Sequence, residues 1–199
     1  FNRFSSRQMP TADGIVYLED TPWYIAHCNV TRDHAVVLSQ LDMINGRQLI
    51  DIFDDACIAS QFSLMVSMIE KYPSLLWSYG PCNCFLHRVI TENRLDVLQR
   101  ASTIIEQFRN HNSEEEIREH KRSAFGKWIG SLHPITYALR KCPDSQIALF
   151  LIQNLPDFSF KPWYLGRDHP IILAIRTKKY EVVEALLLHE KFDLRYYEE

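Results

Sequence analysis

HPIILAIRTKKYEVVEALLLHEKFDL, residues His169–Leu194, is the stretch on which the reading of the chain turns. Pro170 stands one residue inside an expected helix start, where its missing N–H costs nothing and its fixed φ suits the first turn. The apolar run Ile171–Ile175 ends at a charged break, Arg176–Lys179, and a second apolar run, Val182–Leu188, follows. This pattern predicts two helices of roughly two to three turns joined by a short polar turn. Neither is long enough to be stable alone in water. Such a pair needs neighbours of its own kind.

The same pattern recurs upstream when the chain is aligned on Ala174. Thr21-Pro-Trp-Tyr-Ile-Ala26 is followed by Val36-Val37-Leu38, and Ala56 by Leu64-Met65-Val66. Leu86-His87-Arg88-Val89 precedes Val97-Leu98, and His133-Pro-Ile-Thr-Tyr-Ala138 precedes Ile147-Ala148-Leu149. The anchors at 26, 56, 89, 138 and 174 are separated by steps of 30, 33, 49 and 36 residues. A period near 33 with one long insertion describes the series.

That period, with a T-P-L-H-x-A segment followed by E-V-V-x-L-L, resembles the ankyrin repeat. The resemblance is closest in repeat five, His169–Leu188, and recognisable in Thr21–Ala26 and Leu86–Val89; repeat two, starting near Asp51, keeps only the apolar spacing. It covers about residues 15–199. The glycine expected between the two helices is absent throughout, with Lys178 in its place in repeat five and Asn93 in repeat three. The fold it implies is all-α, an ankyrin-like α-solenoid of about five helix-turn-helix repeats with short β-hairpin or loop fingers and one extra helix. Residues 1–13 are expected to be a flexible lead-in, and 14–199 the repeat domain. Gly14–Asp20, alternating and β-branched, is expected to supply a strand of a hairpin.

The insertion, about residues 102–127, falls between repeats three and four. Ser113-Glu-Glu-Glu116 reads as a capping box, with the Ser113 hydroxyl on the N3 amide and Glu116 reaching back. A charged helix to about Arg122 is therefore expected there, either as a docking appendage or as a solvated decoration.

Composition suits a folded chain: 46% hydrophobic and 24% charged residues in 199 are ordinary for a globular protein. No apolar run approaches the roughly 18–20 residues of a membrane span. A net charge of −3 argues against generic nucleic-acid or membrane affinity. The opening FNRFSSRQMP lacks an initiator Met and a signal-peptide core, which suggests a piece of a longer polypeptide. Five scattered cysteines, Cys28, Cys57, Cys82, Cys84 and Cys142, suit reduced thiols and a cytoplasmic location better than a disulfide scaffold.

Catalytic patterns are scarce. Cys82, Cys84 and His87 lie within six residues, but zinc takes four ligands with wider pair spacing, and no fourth stands nearby. His87 also occupies the histidine slot of the repeat, where the resemblance implies a bond to the adjacent hairpin backbone. His27 and Cys28 are neighbours, and neighbours on a helix point about 100° apart. No nucleophile-elbow, phosphate-loop or dinucleotide motif occurs. No metal, cofactor or catalytic residue is expected within this stretch.

Surface remains. The resemblance implies that the first helices line a concave face, with the residues just after each anchor pointing into it. Glu92, Arg140, Lys141 and Arg176 are placed there, and with Arg88 and the turn residues Lys178 and Lys179 they predict a largely basic stripe in repeats three to five; Tyr137, beside the anchor Ala138, is a further expected contact residue. The first two repeats are neutral to acidic, with Asp54 and Asp55. Trp163 and Tyr164 are expected at a finger tip, and Trp and Tyr dominate interface hot spots. Trp77, Tyr79 and Trp128 precede other helix pairs, where stacking within the fold competes with exposure. The function so implied is non-catalytic recognition of a protein partner with an acidic or mixed-charge segment. The alternatives are the targeting part of a larger enzyme, such as a pathogen effector, or the cytosolic ankyrin domain of a membrane channel.

Overall fold

The structure is a computed structural model that describes residues 8–11, 14–17, 21–77, 84–108, 113–126, 129, 132–155 and 169–189. It is all-α apart from one short hairpin, and it divides into two compact units, Phe1–Tyr72 and Pro73–Glu199. In the first unit, β1 (Gln8–Thr11) pairs antiparallel with β2 (Gly14–Tyr17), Gln8 opposite Tyr17. Residues 8–11, expected as lead-in, thus belong to a strand. Two helical hairpins follow, α1 (Pro22–Asn29) with α2 (His34–Gln40), and α3 (Gly46–Ile58) with α4 (Phe62–Lys71). Helix α3 packs on α1, and α4 on α2.

The second unit repeats that scheme. It holds α5 (Cys84–Thr91) with α6 (Leu95–Gln107), α8 (Pro134–Lys141) with α9 (Gln146–Asn154), and α10 (Pro170–Arg176) with α11 (Tyr180–Leu188). First helices α5, α8 and α10 pack in one row, and second helices α6, α9 and α11 in another. The inserted helix α7 (Glu114–Phe125) packs on α6 and α9.

The five anchors explain why these short helices hold. Ala26, Ala56, Val89, Ala138 and Ala174 are each 0% exposed. Second helices answer with Val37, Leu64, Leu98, Ile147 and Val182, all equally buried. Helices of seven to nine residues such as α2, α5 and α10 draw their stability from this packing rather than from propensity.

Three hairpins turn in the same way, and the anchor takes part. Arg94 N–H donates to Val89 O and Asn93 N–H to Ile90 O; Gln61 donates to Ala56 O and Ser60 to Cys57 O; Lys179 donates to Ala174 O and Lys178 to Ile175 O. These crossed bonds make a Schellman turn, which needs a left-handed residue after the helix. Ser60, Asn93 and Lys178 supply it at φ 55°, 51° and 58°. The slot where glycine was expected thus keeps its backbone shape with side chains in it, at a steric cost of roughly 1–2 kcal/mol for an L-residue.

Three expectations need correction. Repeat two begins at Gly46, not near Asp51, because Asn45 and Gln48 form a complete capping box. Helix α7 runs past Arg122 to Phe125, since Ala124 and Phe125 are buried. Fingers between pairs are not seen among the described residues: after α2 come only a 3₁₀ turn, Leu41–Met43, and two residues before α3, too few for a hairpin. A single bridge, Ile129 to Leu132, precedes α8. Residues 78–83 and 156–168, where further fingers were expected, lie outside the described residues.

Lys178→Gly is expected to stabilise the protein by about 0.5–1 kcal/mol, the relieved strain less the extra entropy of glycine. Asn93→Gly should gain less, because asparagine tolerates the left-handed region and Asn93 also donates to Asp144. Urea midpoints of the two variants check the order.

Candidate functional site

Helices α8 and α10 begin alike, and their starts set where the row's side chains emerge. His133 and His169 are N-caps followed by proline, and the Nδ1 of each accepts from the amide two residues on, Ile135 or Ile171, at 3.3 Å. Both rings are buried. Burial pulls each histidine down to about 4, so the native caps are neutral where an unfolded histidine is charged.

Across the row, α5 presents Arg88, and Glu92 follows its last residue, with Arg88 Nη1 3.5 Å from Glu92 Oε1. Thr91 Oγ1 donates to His87 O at 2.8 Å and lies 3.0 Å from Tyr137 OH on α8. The Tyr137 ring sits 5.3 Å from that of His87, with Lys141 Nζ 6.0 Å from its centroid. Partial burial, then the charges of Arg88 and Lys141, hold His87 below its ordinary value. Two cations, Arg88 and Lys141, thus stand close to the His87 ring. Arg140 and Lys141 end α8, Arg176 ends α10, and Lys178 sits in the following turn; all four are exposed.

Two of the expected contact residues are not surface groups. Tyr137 is 8% exposed, its hydroxyl joining α8 to α5 and its ring covered by the neighbours just named. Lys179 is equally buried, and its ammonium donates to Cys142 O at 2.7 Å, Asp144 O at 2.9 Å and Leu139 O at 3.4 Å. It closes the end of α8, whose last carbonyls have no helical partner. His87 is exposed and leans on Tyr137 instead of bonding a hairpin. Trp163 and Tyr164 lie outside the described residues, as do Tyr79 and Trp128. Trp77 belongs to the packing: its ring stacks 4.0 Å from His120 on α7, with Phe108 at 5.6 Å.

Two features had no sequence signal. His27 Nδ1 lies 2.6 Å from Asp55 Oδ2, with Trp23 stacked on the imidazole, tying α1 to α3. Beside α7 an open groove of about 310 Å³ is lined by Glu106, Arg118, Lys121, Gln153 and Asn154. Lys121 bridges it, 2.6 Å from Glu106 and 3.0 Å from Asn154. So α7 is packed and cross-linked on one side and solvated on the other.

Burial pushes the Cys142 thiol up to about 11, and it donates to Ile90 O. Among the described residues no three His, Cys, Asp or Glu side chains are grouped to hold a metal, and Cys82 lies outside them. No described helix is long and apolar enough to cross a membrane. Compared with protein-family models, with curated proteins and with solved structures, the chain matches none.

Because the unfolded chain takes up protons on His133 and His169 below about pH 6.5 while the native caps resist until about pH 4, stability is full above 6.5 and falls through that window. The loss reaches roughly 3 kcal/mol per histidine. Urea unfolding at pH 7.5, 6 and 5 should show this slope, and it should flatten in His133→Asn/His169→Asn, which keeps a capping side chain. Lys179→Met, which strands the carbonyls of Cys142 and Asp144, should cost about 2 kcal/mol in the same assay.

Proposed function

We propose that this chain is a divergent ankyrin-like repeat domain whose α5–α8–α10 face recognises a protein partner without catalysis, and that the partner segment is acidic or of mixed charge. The observation that carries the reading is the run of exposed cations Arg140, Lys141, Arg176 and Lys178 at the ends of two adjacent first helices. The repeat assignment draws support from the five buried anchors and from left-handed turns at the position where the family pattern has glycine. Arg88 and Glu92 form the edge of the face, and an ion pair at a rim steers encounter and fixes register more than it adds affinity. Tyr137 and Lys179 act behind it, holding α8 in place. Cys28 and the buried Cys142, which form no disulfide, support a reducing, cytoplasmic setting.

A peptide array of acidic, neutral and basic segments tests this. Acidic segments are expected to bind, with affinity falling as salt rises. Arg140→Glu/Arg176→Glu should weaken that binding at least tenfold and flatten its salt dependence. Arg140→Gln/Arg176→Gln should fall between, with unfolding midpoints as the control for helix ends that favour cations. Equal binding of all three peptide classes, or no effect of charge reversal, removes the proposal.

A further inference from the structure

The last helical hairpin carries an apolar face that the stacking pattern of the second unit accounts for. Aligned on the anchors Ala138 and Ala174, Thr136 and Leu139 of α8 correspond to Ile172 and Ile175 of α10. Aligned on the buried Ile147/Leu151 and Val182/Leu186, residues Ser145, Ala148 and Ile152 correspond to Tyr180, Val183 and Leu187. In the earlier pair these positions are buried: Thr136 is 3% exposed, Leu139 2%, Ser145 5%, Ala148 1% and Ile152 4%. Helices α8 and α9 are the ones on which α10 and α11 pack. One pair further back, on the helices that meet α8 and α9, three of the five equivalents, Ile90, Leu98 and Ser102, are buried, while Leu95 is half-buried and His87 exposed.

In the last pair four of the five equivalents are open to solvent, and Val183 is half-buried. Ile172 is 40% exposed, Ile175 51%, Leu187 47% and Tyr180 64%. A terminal pair that ends an array needs a polar outer face to stay soluble. Here the substitution runs the other way: Thr to Ile, Ser to Tyr and Ala to Val make the open face more apolar than the covered one. Scattered exposed hydrophobics need no explanation, but a contiguous set at docking positions does. Arg176, Lys178, Glu181 and Glu184, all exposed, border it with both signs of charge.

We propose that the outward face of α10–α11 docks a further amphipathic helical hairpin, stacked as α10–α11 stack on α8–α9. The occupant follows from continuity with an interface already made twice in this unit. Each pair offers an outward face to the inward face of the next, a head-to-tail contact that does not pair like with like. A second copy of the chain placed face to face would instead pair one outward face with another, unlike the successive contacts α5–α8, α8–α10, α6–α9 and α9–α11. This surface meets the cationic α5–α8–α10 face at its border residues Arg176 and Lys178, but its apolar residues are not among the cations of that face, and its fate does not depend on that reading.

The test duplicates residues 156–189 in tandem after His189 within the full chain. If the face docks a hairpin, the thermal midpoint rises by at least roughly 3 °C and the urea m-value increases with the added buried surface. Introducing Ile175→Glu/Leu187→Glu into the first copy should abolish both gains, while the same pair of changes in the unduplicated chain leaves its midpoint within about 1 °C, as expected at exposed sites. No gain on duplication, or a gain that survives the two glutamates, overturns the proposal. So does a concentration-dependent dimer of the unduplicated chain, seen by light scattering and lost with the glutamates, because it assigns the face to a second copy.

Discussion

Helices of seven to nine residues do not persist in water on their own backbone bonds, because the cost of the first turn is spread over too few hydrogen bonds. Everything in this chain is arranged around that constraint. Each first helix carries a small or β-branched residue, Ala26, Ala56, Val89, Ala138 or Ala174, that is fully buried. In three pairs the carbonyl of that same residue accepts the bond that closes the turn. One position therefore belongs both to the packed core and to the turn by which the chain reverses.

The side chains that join successive pairs concentrate at those reversals. Asn93 reaches Asp144, Cys142 reaches Ile90, and Thr91 meets Tyr137. In the first unit His34 lies 3.1 Å from Gln61, the residue that completes its own pair's turn. Lys179 holds the matching position in the last pair. Loops that would otherwise expose helix-end carbonyls become the places where one pair grips the next, and the row of first helices gains a fixed spacing. A surface read by a partner needs that rigidity, since contacts held in register cost less ordering on binding.

Much of this was legible in sequence, for an identifiable reason. Anchor spacing and the proline starts at Pro134 and Pro170 are local patterns, and Ser113–Glu116 announces α7 within four residues. The start of α3 was just as readable, since Asn45 and Gln48 form the same box; apolar periodicity drew attention past it to Asp51. What sequence could not show were contacts across many residues. His27 and Asp55 are 28 positions apart, and Trp77 meets His120 across an insertion. Lys179 was misread because a lysine in a turn is usually solvated; its burial depends on carbonyls some 35 to 40 residues earlier. Tyr137 was misread for the same reason, its neighbours lying on α5.

Lys179 also determines how the array comes apart. Peeling α10–α11 away from its neighbour would leave three main-chain oxygens of the preceding hairpin bare at once. Opening that last hairpin must therefore break three charge-assisted bonds in the same step, which couples it to the end of the hairpin before it.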